Sequence, residues 1–314
     1  MTSERAGERI VVGVDGSPGG RAALVWALAA GARAGAEVEV VSAVPVNPWS
    51  PLDVIDTSRA EHVRADTEAR LRASVAEATS DPAVRAVARD GTHPVVVTVV
   101  SGSPAEALVA RAEGAGLLVV GSRGRGAVRS ALLGSVALHC AAHAPCPVVV
   151  VHPGAESGTR VVVGVDDSPV AHAALTEAVR HARRLGAAVE AVLVCQPVTY
   201  WSDATVPAPP VGETLEAARG RAERIVAAVL GPGPHPDVEA TVETGAPGDV
   251  LVRRAAGAAL LVVGSRSRSR LTGLALGSVA LHCVVHASCP VLVVRHGRAH
   301  AAAPGPRATS PARG

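Results

Sequence analysis

The chain has 314 residues, of which 48% are hydrophobic, but it contains no Phe, three Trp and one Tyr. A net charge of only +2 and the shortage of aromatic rings for base stacking argue against a nucleic-acid-binding protein. Five cysteines without a C-x-x-C pair favour free thiols and a cytoplasmic protein over a disulfide-stapled secreted one, and the charged N-terminus is atypical of a signal peptide.

Two blocks of sequence each occur twice, and this duplication predicts the domain organisation. LLVVGSR begins at Leu117 and Leu260, and GSVALHC begins at Gly134 and Gly277, so both pairs are 143 residues apart. The expected organisation is a tail at 1–8, one repeat at 9–153, a second at 159–296, and a disordered tail rich in Ala, Pro, Arg and Gly at 297–314.

Each repeat opens with a β-branched strand that ends in Asp, 9–15 in repeat 1 and 160–166 in repeat 2. Ser-Pro then predicts a capped helix that ends near Gly35 or Gly186. The later predicted elements of repeat 1 are a strand at 38–44, a helical stretch at 57–78, a strand at 95–100, a helix with a capping box from Ser103 to Glu106, and strands at 117–122 and 147–151. Their counterparts in repeat 2 are a strand at 189–195, a helical stretch at 213–230 and strands at 238–242, 260–265 and 290–294.

Alternating strands and helices predict an α/β fold of two tandem repeats, each a five-stranded parallel sheet with helices on both faces, Rossmann-like and of an adenine-nucleotide-binding type. Residues 131–155 and 271–294 lack charged side chains, yet Gly-Ser, His and Cys-Pro interrupt both, so we expect a helix followed by a buried strand and not a membrane span. An exposed Val-rich fifth strand invites pairing, and the two repeats can pair with each other within the chain; a homodimer is also open.

The fourth strand of repeat 1 leads into a G-x2-G-x9-G-S motif formed by Gly121, Gly124, Gly134 and Ser135. Ligands of open α/β sheets lie beyond the carboxyl ends of the strands, so a binding site is expected there. Glycines let backbone amides approach an anion, the helix that opens at Gly134-Ser135 favours phosphate, and nearby arginines can add positive charge.

This motif in its strand-loop-helix context resembles the universal stress protein family in its tandem two-domain form. The resemblance implies binding of ATP or another adenine nucleotide, with Mg²⁺ as a candidate companion ion, in a protein of stress response or signalling. The contacts implied for repeat 1 are Gly13, Val14, Asp15, Ala43, Val120, Gly121, Arg123, Gly124, Gly134, Ser135, Val136 and Ala137. The counterparts in repeat 2 are Gly164, Val165, Asp166, Val194, Val263, Gly264, Arg266, Gly277, Ser278, Val279 and Ala280.

Repeat 2 departs from the motif, because Ser267 stands where the second glycine is expected and Ser269 replaces Gly126. A serine enters φ > 0 less readily and adds a side chain where backbone should meet phosphate. The second site is therefore expected to be weaker, to select another ligand or to be a structural remnant.

Two further functions stay open at this stage. One is a slow ATPase or phosphoryl-transfer enzyme, although a G-x4-G-K-[ST] loop and a nucleophile paired with a base are both missing from the sequence. The other is a structural interaction module with one or no working site. A zinc site at His139, Cys140, His143 and Cys146 is disfavoured, since Cys140 lies on another helix face and paired Cys spacing is absent.

Overall fold

The computed structural model describes residues 9–44, 57–88, 93–125, 133–154, 158–195, 211–235, 237–266 and 276–295, without the side chains of 57–60 and 211–214. The predicted tails at 1–8 and 297–314, and Ser267 with its neighbours, lie outside the described residues.

Repeat 1 consists of β1 Ile10–Gly13, α1 Pro18–Ala34, β2 Val38–Val44, α2 Thr57–Thr79, α3 Pro82–Arg85, β3 Val95–Ser101, α4 Pro104–Arg111, β4 Leu117–Gly121, α5 Ser135–His143 and β5 Val148–Val151. Repeat 2 consists of β6 Arg160–Val165, α6 Pro169–Leu185, β7 Ala188–Cys195, α7 Val211–Leu230, β8 Val238–Thr244, α8 Pro247–Arg254, β9 Leu260–Gly264, α9 Ser278–His286 and β10 Val291–Val294. The expected α/β fold of two tandem repeats is confirmed.

The ten strands that the structure describes form one sheet in the order β3-β2-β1-β4-β5-β10-β9-β6-β7-β8. Strands are parallel within each repeat, and the two halves join through an antiparallel pair in which Leu292 of β10 lies opposite Val149 of β5. The fifth strands therefore pair with each other inside one chain, as the sequence had suggested. Neither fifth strand is left as a sheet edge.

Local sequence signals set several helix ends. Ser17 Oγ accepts a hydrogen bond from the Gly20 N–H and caps α1, while Gly35 ends that helix with φ 63°. Gly186 ends α6 in the same left-handed conformation, also at φ 63°. The capping box predicted at Ser103 is wrong in one respect, since the Ser103 side chain makes no capping hydrogen bond and Pro104 alone marks the start of α4.

Helices cover both faces of the sheet, and each face has its own aliphatic core shared by the two repeats. One core includes Leu24 and Leu28 of α1 with Leu175 of α6, and the other includes Cys140 of α5 with Cys283 of α9. Among the described residues, we find no helix that is both long and apolar enough to cross a membrane.

A buried carboxylate ties the second strand of each repeat to the surrounding arginines. Glu39 is 3% exposed and accepts hydrogen bonds from Arg9 Nη1 at 2.5 Å, Arg111 Nη1 at 2.9 Å and Thr98 Oγ1 at 3.0 Å. Glu190 holds the same position in repeat 2, where Arg254 Nε donates to it at 2.7 Å. A buried charge is tolerated when it is paired and hydrogen-bonded in this way.

The Glu39→Gln variant should lower the free energy of unfolding by about 2 kcal/mol, because it removes the charge that three donors now satisfy. The two arginines are partly exposed, so water compensates some of the loss. Urea denaturation of the variant measures the effect, with Glu37→Gln, at an exposed position just before β2, as the control. Equal stability of the two variants would contradict the prediction.

Candidate functional site

The candidate site lies where the carboxyl ends of β1 and β4 meet in the middle of repeat 1. The chain leaves β1 for β2 on one side, whereas β4 and β5 lie on the other, so the strand order reverses at this point. Such a reversal opens a crevice beyond the strand ends where ligands of α/β proteins bind. Asp15 follows β1, and the glycine loop follows β4.

Asp15 connects the two sides of this crevice. Its Oδ1 accepts hydrogen bonds from the Ser17 N–H at 2.9 Å and the Ser17 hydroxyl at 2.6 Å, and its Oδ2 accepts from the Arg125 N–H at 2.9 Å. Burial alone would raise the pKa of Asp15, but the hydrogen bonds from Ser17 and Arg125 outweigh it, so the pKa falls below its usual value. The ionised carboxylate thus holds the glycine loop against the start of α1.

Three glycines allow backbone segments to approach each other at this point. A Cβ on Gly19 would overlap the carbonyl oxygen of Arg123, and one on Gly121 would overlap the backbone of Gly19. A Cβ on Gly124 would lie 2.6 Å from Asp15 Oδ2. The loop can follow this path only if these positions have no side chains. Close packing of the backbone therefore explains why the motif has glycine at Gly121 and Gly124.

Gly134 has a different role. It adopts extended angles, φ −77° and ψ 148°, and an added Cβ would make only ordinary contact, 3.4 Å from Ser122 O. Its N–H donates to Ser122 O at 2.8 Å, so Gly134 anchors the first turn of α5 beside β4. Within the described residues, no side chain caps that turn, and Ser135 is exposed. The unpaired amides at this helix start can bind an anion.

The structure brings Asp15, Gly121, Arg123, Gly124 and Gly134 into direct contact around the loop. The other predicted residues of repeat 1 lie around them: Gly13 ends β1 and Val14 follows it, Ala43 lies near the end of β2, Val120 is buried in β4, and Val136 and Ala137 belong to the first turn of α5. The Ala137 side chain points into the core, so it can offer a ligand only its backbone. Gly13 also has a packing role, since its Cβ would lie 2.7 Å from Leu108 Cδ1 of α4.

Repeat 2 preserves the framework of this site. Asp166 Oδ1 accepts from the Ser168 N–H at 2.8 Å, and the Gly277 N–H donates to Ser265 O at 2.7 Å. The other predicted residues of repeat 2 take the positions of their counterparts: Gly164, Val165, Val194, Val263, Gly264, Arg266, Ser278, Val279 and Ala280.

The two repeats also differ at two positions in the turn after their first strand, which the sequence analysis of the glycine loops did not include. Val170 stands where repeat 1 has Gly19, and its Cγ1 lies 2.5 Å from where a Cβ on Gly264 would be. Asp167 replaces Gly16, whose φ is +78°, and pairs with Arg221 of α7. Both differences are visible in the sequence when DGSPGG from Asp15 is aligned with DDSPVA from Asp166. The loop of repeat 2 therefore meets a side chain where that of repeat 1 meets backbone.

Comparison with known proteins accounts for this arrangement. The sequence model of the "Universal stress protein family" matches residues 7–152 and 158–295. The Mycobacterium tuberculosis universal stress protein Rv2005c is 35% identical over 308 residues, covering 94% of this chain and 99% of the relative. The chain belongs to the universal stress protein family. Rv2623 of the same species is 30% identical over 305 residues, covering 94% of this chain and 99% of the relative.

A solved structure supports the tandem fold of this universal stress protein. The crystal structure of a universal stress protein from Archaeoglobus fulgidus covers 92% of this chain and 98% of its own, with a TM-score of 0.62 and 20% identity. At this identity the likeness concerns the fold alone.

The cysteines of α5 and α9 contribute to packing. Burial raises the pKa of Cys140 and of Cys283 to about 12, with a smaller contribution from the neighbouring Cys146 or Cys289. These thiols stay protonated near neutral pH, and a protonated thiol is a poor nucleophile or metal ligand. Within the described part of the chain, no group of three or more His, Cys, Asp or Glu side chains is arranged to hold a metal ion.

His152 links the site of repeat 1 to the junction between the repeats. It directly follows β5, and its Nε2 lies 3.0 Å from the carbonyl oxygen of Val284 in α9. Burial lowers the pKa of His152, and the nearby charge of Arg123 in the glycine loop lowers it further, although the contact with Val284 opposes both. His152 is therefore neutral when the protein is folded near pH 7.

The free energy of unfolding should fall as the pH is lowered through about 6.5, the usual histidine pKa. The unfolded chain then binds a proton that folded His152 resists, and this contribution is complete above that pH. Urea denaturation at several pH values should show a shallower dependence for His152→Gln. His93, whose pKa burial also lowers, leaves a residual slope. An unchanged slope in the variant would refute the assignment.

Proposed function

We propose that repeat 1 binds an adenine nucleotide, ATP or a close relative, and that binding changes the stability or partner affinity of the paired repeats in a stress or signalling response. The observation that carries this proposal is the glycine loop, which Asp15 holds beside the first turn of α5, a turn that no described side chain caps. The amides at the start of α5 and the two arginines of this corner suit phosphate. The choice of adenine rests on the family resemblance.

The residues present fit the two ends of such a ligand. The amides of the glycine loop and of the first turn of α5 would hold the phosphates, with Arg123 and Arg125 adding positive charge and Ser135 offering its hydroxyl. The resemblance also implies contacts at Val14 and Ala43 for the rest of the ligand. A Mg²⁺ ion, if bound with the phosphates, would neutralise part of their charge.

Repeat 2 is proposed to bind nucleotide weakly or not at all. Val170 fills the space that lets loop and helix backbones meet in repeat 1, and the sequence adds Ser267 at the second motif position. The domain at 9–153 would then hold the working nucleotide site, and the domain at 159–296 would be its structural partner.

The proposed setting is the cytoplasm, as the free cysteines suggest. A homodimer would need a surface other than the fifth strands, since β5 and β10 already pair within the chain.

Nucleotide released by heat from the freshly purified full-length chain should be adenine-based and number about one per chain. Added ATP at 100 times its dissociation constant should stabilise the fold by about 2.7 kcal/mol, which raises the melting temperature by about 4 °C when both repeats unfold together. Thermal shift with ATP, ADP, AMP and cyclic AMP ranks the ligands. No released nucleotide and no shift with any of the four would overturn the proposal.

A further inference from the structure

Helix α5 carries two histidines, one turn apart, in its carboxyl-terminal half. His139 and His143 are four residues apart, so their side chains lie on the same face of the helix. Their rings are stacked, with centroids 4.4 Å apart and planes inclined by 30°. His143 is exposed and His139 is partly exposed, so water and ions can reach the pair. Two imidazoles at this helical spacing are a bidentate ligand for a transition-metal ion.

The hydrogen bonding of His143 leaves its outer ring nitrogen free. Its Nδ1 lies 3.0 Å from the carbonyl oxygen of His139. A carbonyl oxygen can only accept, so Nδ1 carries the proton and Nε2 of the neutral ring keeps its lone pair. Metal-binding histidines are commonly oriented in this way, with the second ring nitrogen donating to a carbonyl or carboxylate. The ring of His139 makes no hydrogen bond to any residue that the structure describes, so both rings can turn toward one ion.

Repeat 2 contains the same pair, but one of its rings is already engaged. His282 and His286 of α9 have ring centroids 4.4 Å apart, with planes inclined by 43°. The Nε2 atom of His282 lies 2.9 Å from Oδ1 of Asp249 in α8 and donates to that carboxylate. A metal ion would have to break this interaction before it could use the same nitrogen. Repeat 2 should therefore bind a metal ion more weakly than repeat 1.

Neighbouring residues explain why only repeat 2 forms this interaction. A Cβ on Gly248 would lie 2.8 Å from Cδ2 of His282, so α8 approaches the ring closely because residue 248 has no side chain. Repeat 1 has Ala105 at this position, so α4 cannot approach the ring of His139 in the same way. Glu106 takes the place of Asp249 and forms no ion pair with the described residues. The histidine pair of repeat 1 is therefore left for another ligand.

We propose that His139 and His143 bind a divalent transition-metal ion that prefers imidazole, such as Ni²⁺ or Zn²⁺. The two Nε2 atoms would be its protein ligands, and water would complete its coordination. Cys140 takes no part, because it is buried in the core on another face of the helix. The segment between the histidines lacks the glutamate of a helical zinc-protease motif, so the expected activity is binding and not hydrolysis.

Calorimetric titration of the full chain with NiCl₂ tests this site. The chain is first freed of nucleotide, whose phosphates also bind metal ions. About one Ni²⁺ per chain should bind in the tightest class. His143→Gln and His139→Gln should each weaken this binding at least about tenfold, because a single imidazole loses the advantage of joint ligation. The matched change in repeat 2, His286→Gln, should leave the tight site unaltered.

A gain-of-binding variant tests the explanation for the difference between the repeats. Asp249→Ala frees the ring of His282 and should raise the number of tight Ni²⁺ sites from about one to about two per chain. Circular dichroism checks that each variant is folded. Absence of Ni²⁺ binding, or equal affinity in folded His143→Gln and His286→Gln, would overturn the proposal. An Asp249→Ala chain with a single tight site would contradict the role given to Asp249.

Discussion

Replacing Gly19 with valine should abolish nucleotide binding by repeat 1 while the chain still folds. A side chain at this position would overlap the carbonyl oxygen of Arg123 and force the glycine loop away from the start of α1. The amides that we propose as phosphate ligands would then point elsewhere. The fold should survive because repeat 2 already has Val170 at the equivalent position, buried and 8% exposed. Calorimetry with ATP should show at least about a hundredfold loss of affinity, since several hydrogen bonds to phosphate are lost together.

The matched control is the reciprocal change in repeat 2. Val170→Gly removes a buried side chain from the corresponding turn and should leave nucleotide binding by repeat 1 unchanged. Gly124→Asp offers an independent route to the same loss, because it places a second carboxylate against Asp15. Circular dichroism checks that each variant is folded. Undiminished ATP binding by folded Gly19→Val and Gly124→Asp would show that the nucleotide does not bind at this loop.

Local sequence signals predicted the elements well because their causes are local. The second strand of repeat 1 occupies the predicted residues 38–44, and α1 ends at the predicted glycine, Gly35. Strand periodicity and left-handed glycines depend on a few neighbouring residues. The duplication also predicted the pairing of the fifth strands, since a Val-rich edge strand needs a partner and the chain contains two.

Contacts between distant parts of the chain could not be predicted in this way. Gly19 was not among the predicted site residues, because its meaning depends on Arg123, which follows a strand about a hundred residues later. Glu39 looks like an exposed residue in an alternating strand until Arg9 and Arg111 converge on it. His282 likewise contacts Asp249 only because α8 packs against α9. In each case a single residue acquires its role from the tertiary fold.

Truncating Leu292 to alanine should destabilise both repeats together, although Leu292 belongs to repeat 2. This residue of β10 is fully buried, lies opposite Val149 of repeat 1, and packs in the core that α1 and α6 share. A buried leucine changed to alanine costs about 3 kcal/mol through lost contacts and the cavity left behind. If both repeats unfold as one unit, the melting temperature should fall by about 5 °C.

The number of thermal unfolding transitions is as informative as their midpoint temperature. One continuous sheet and two shared cores make separate unfolding of the repeats unfavourable, so calorimetry should show a single transition in the unmodified chain and in Leu292→Ala. Leu281→Ala, which truncates a 39% exposed leucine of α9, should change the midpoint by much less. Two resolved transitions, with only one shifted in Leu292→Ala, would mean that the repeats are energetically independent despite the shared sheet. A single shifted transition would mean that a ligand bound by one repeat stabilises the whole chain, which is the physical requirement for nucleotide in repeat 1 to act on the surface of repeat 2.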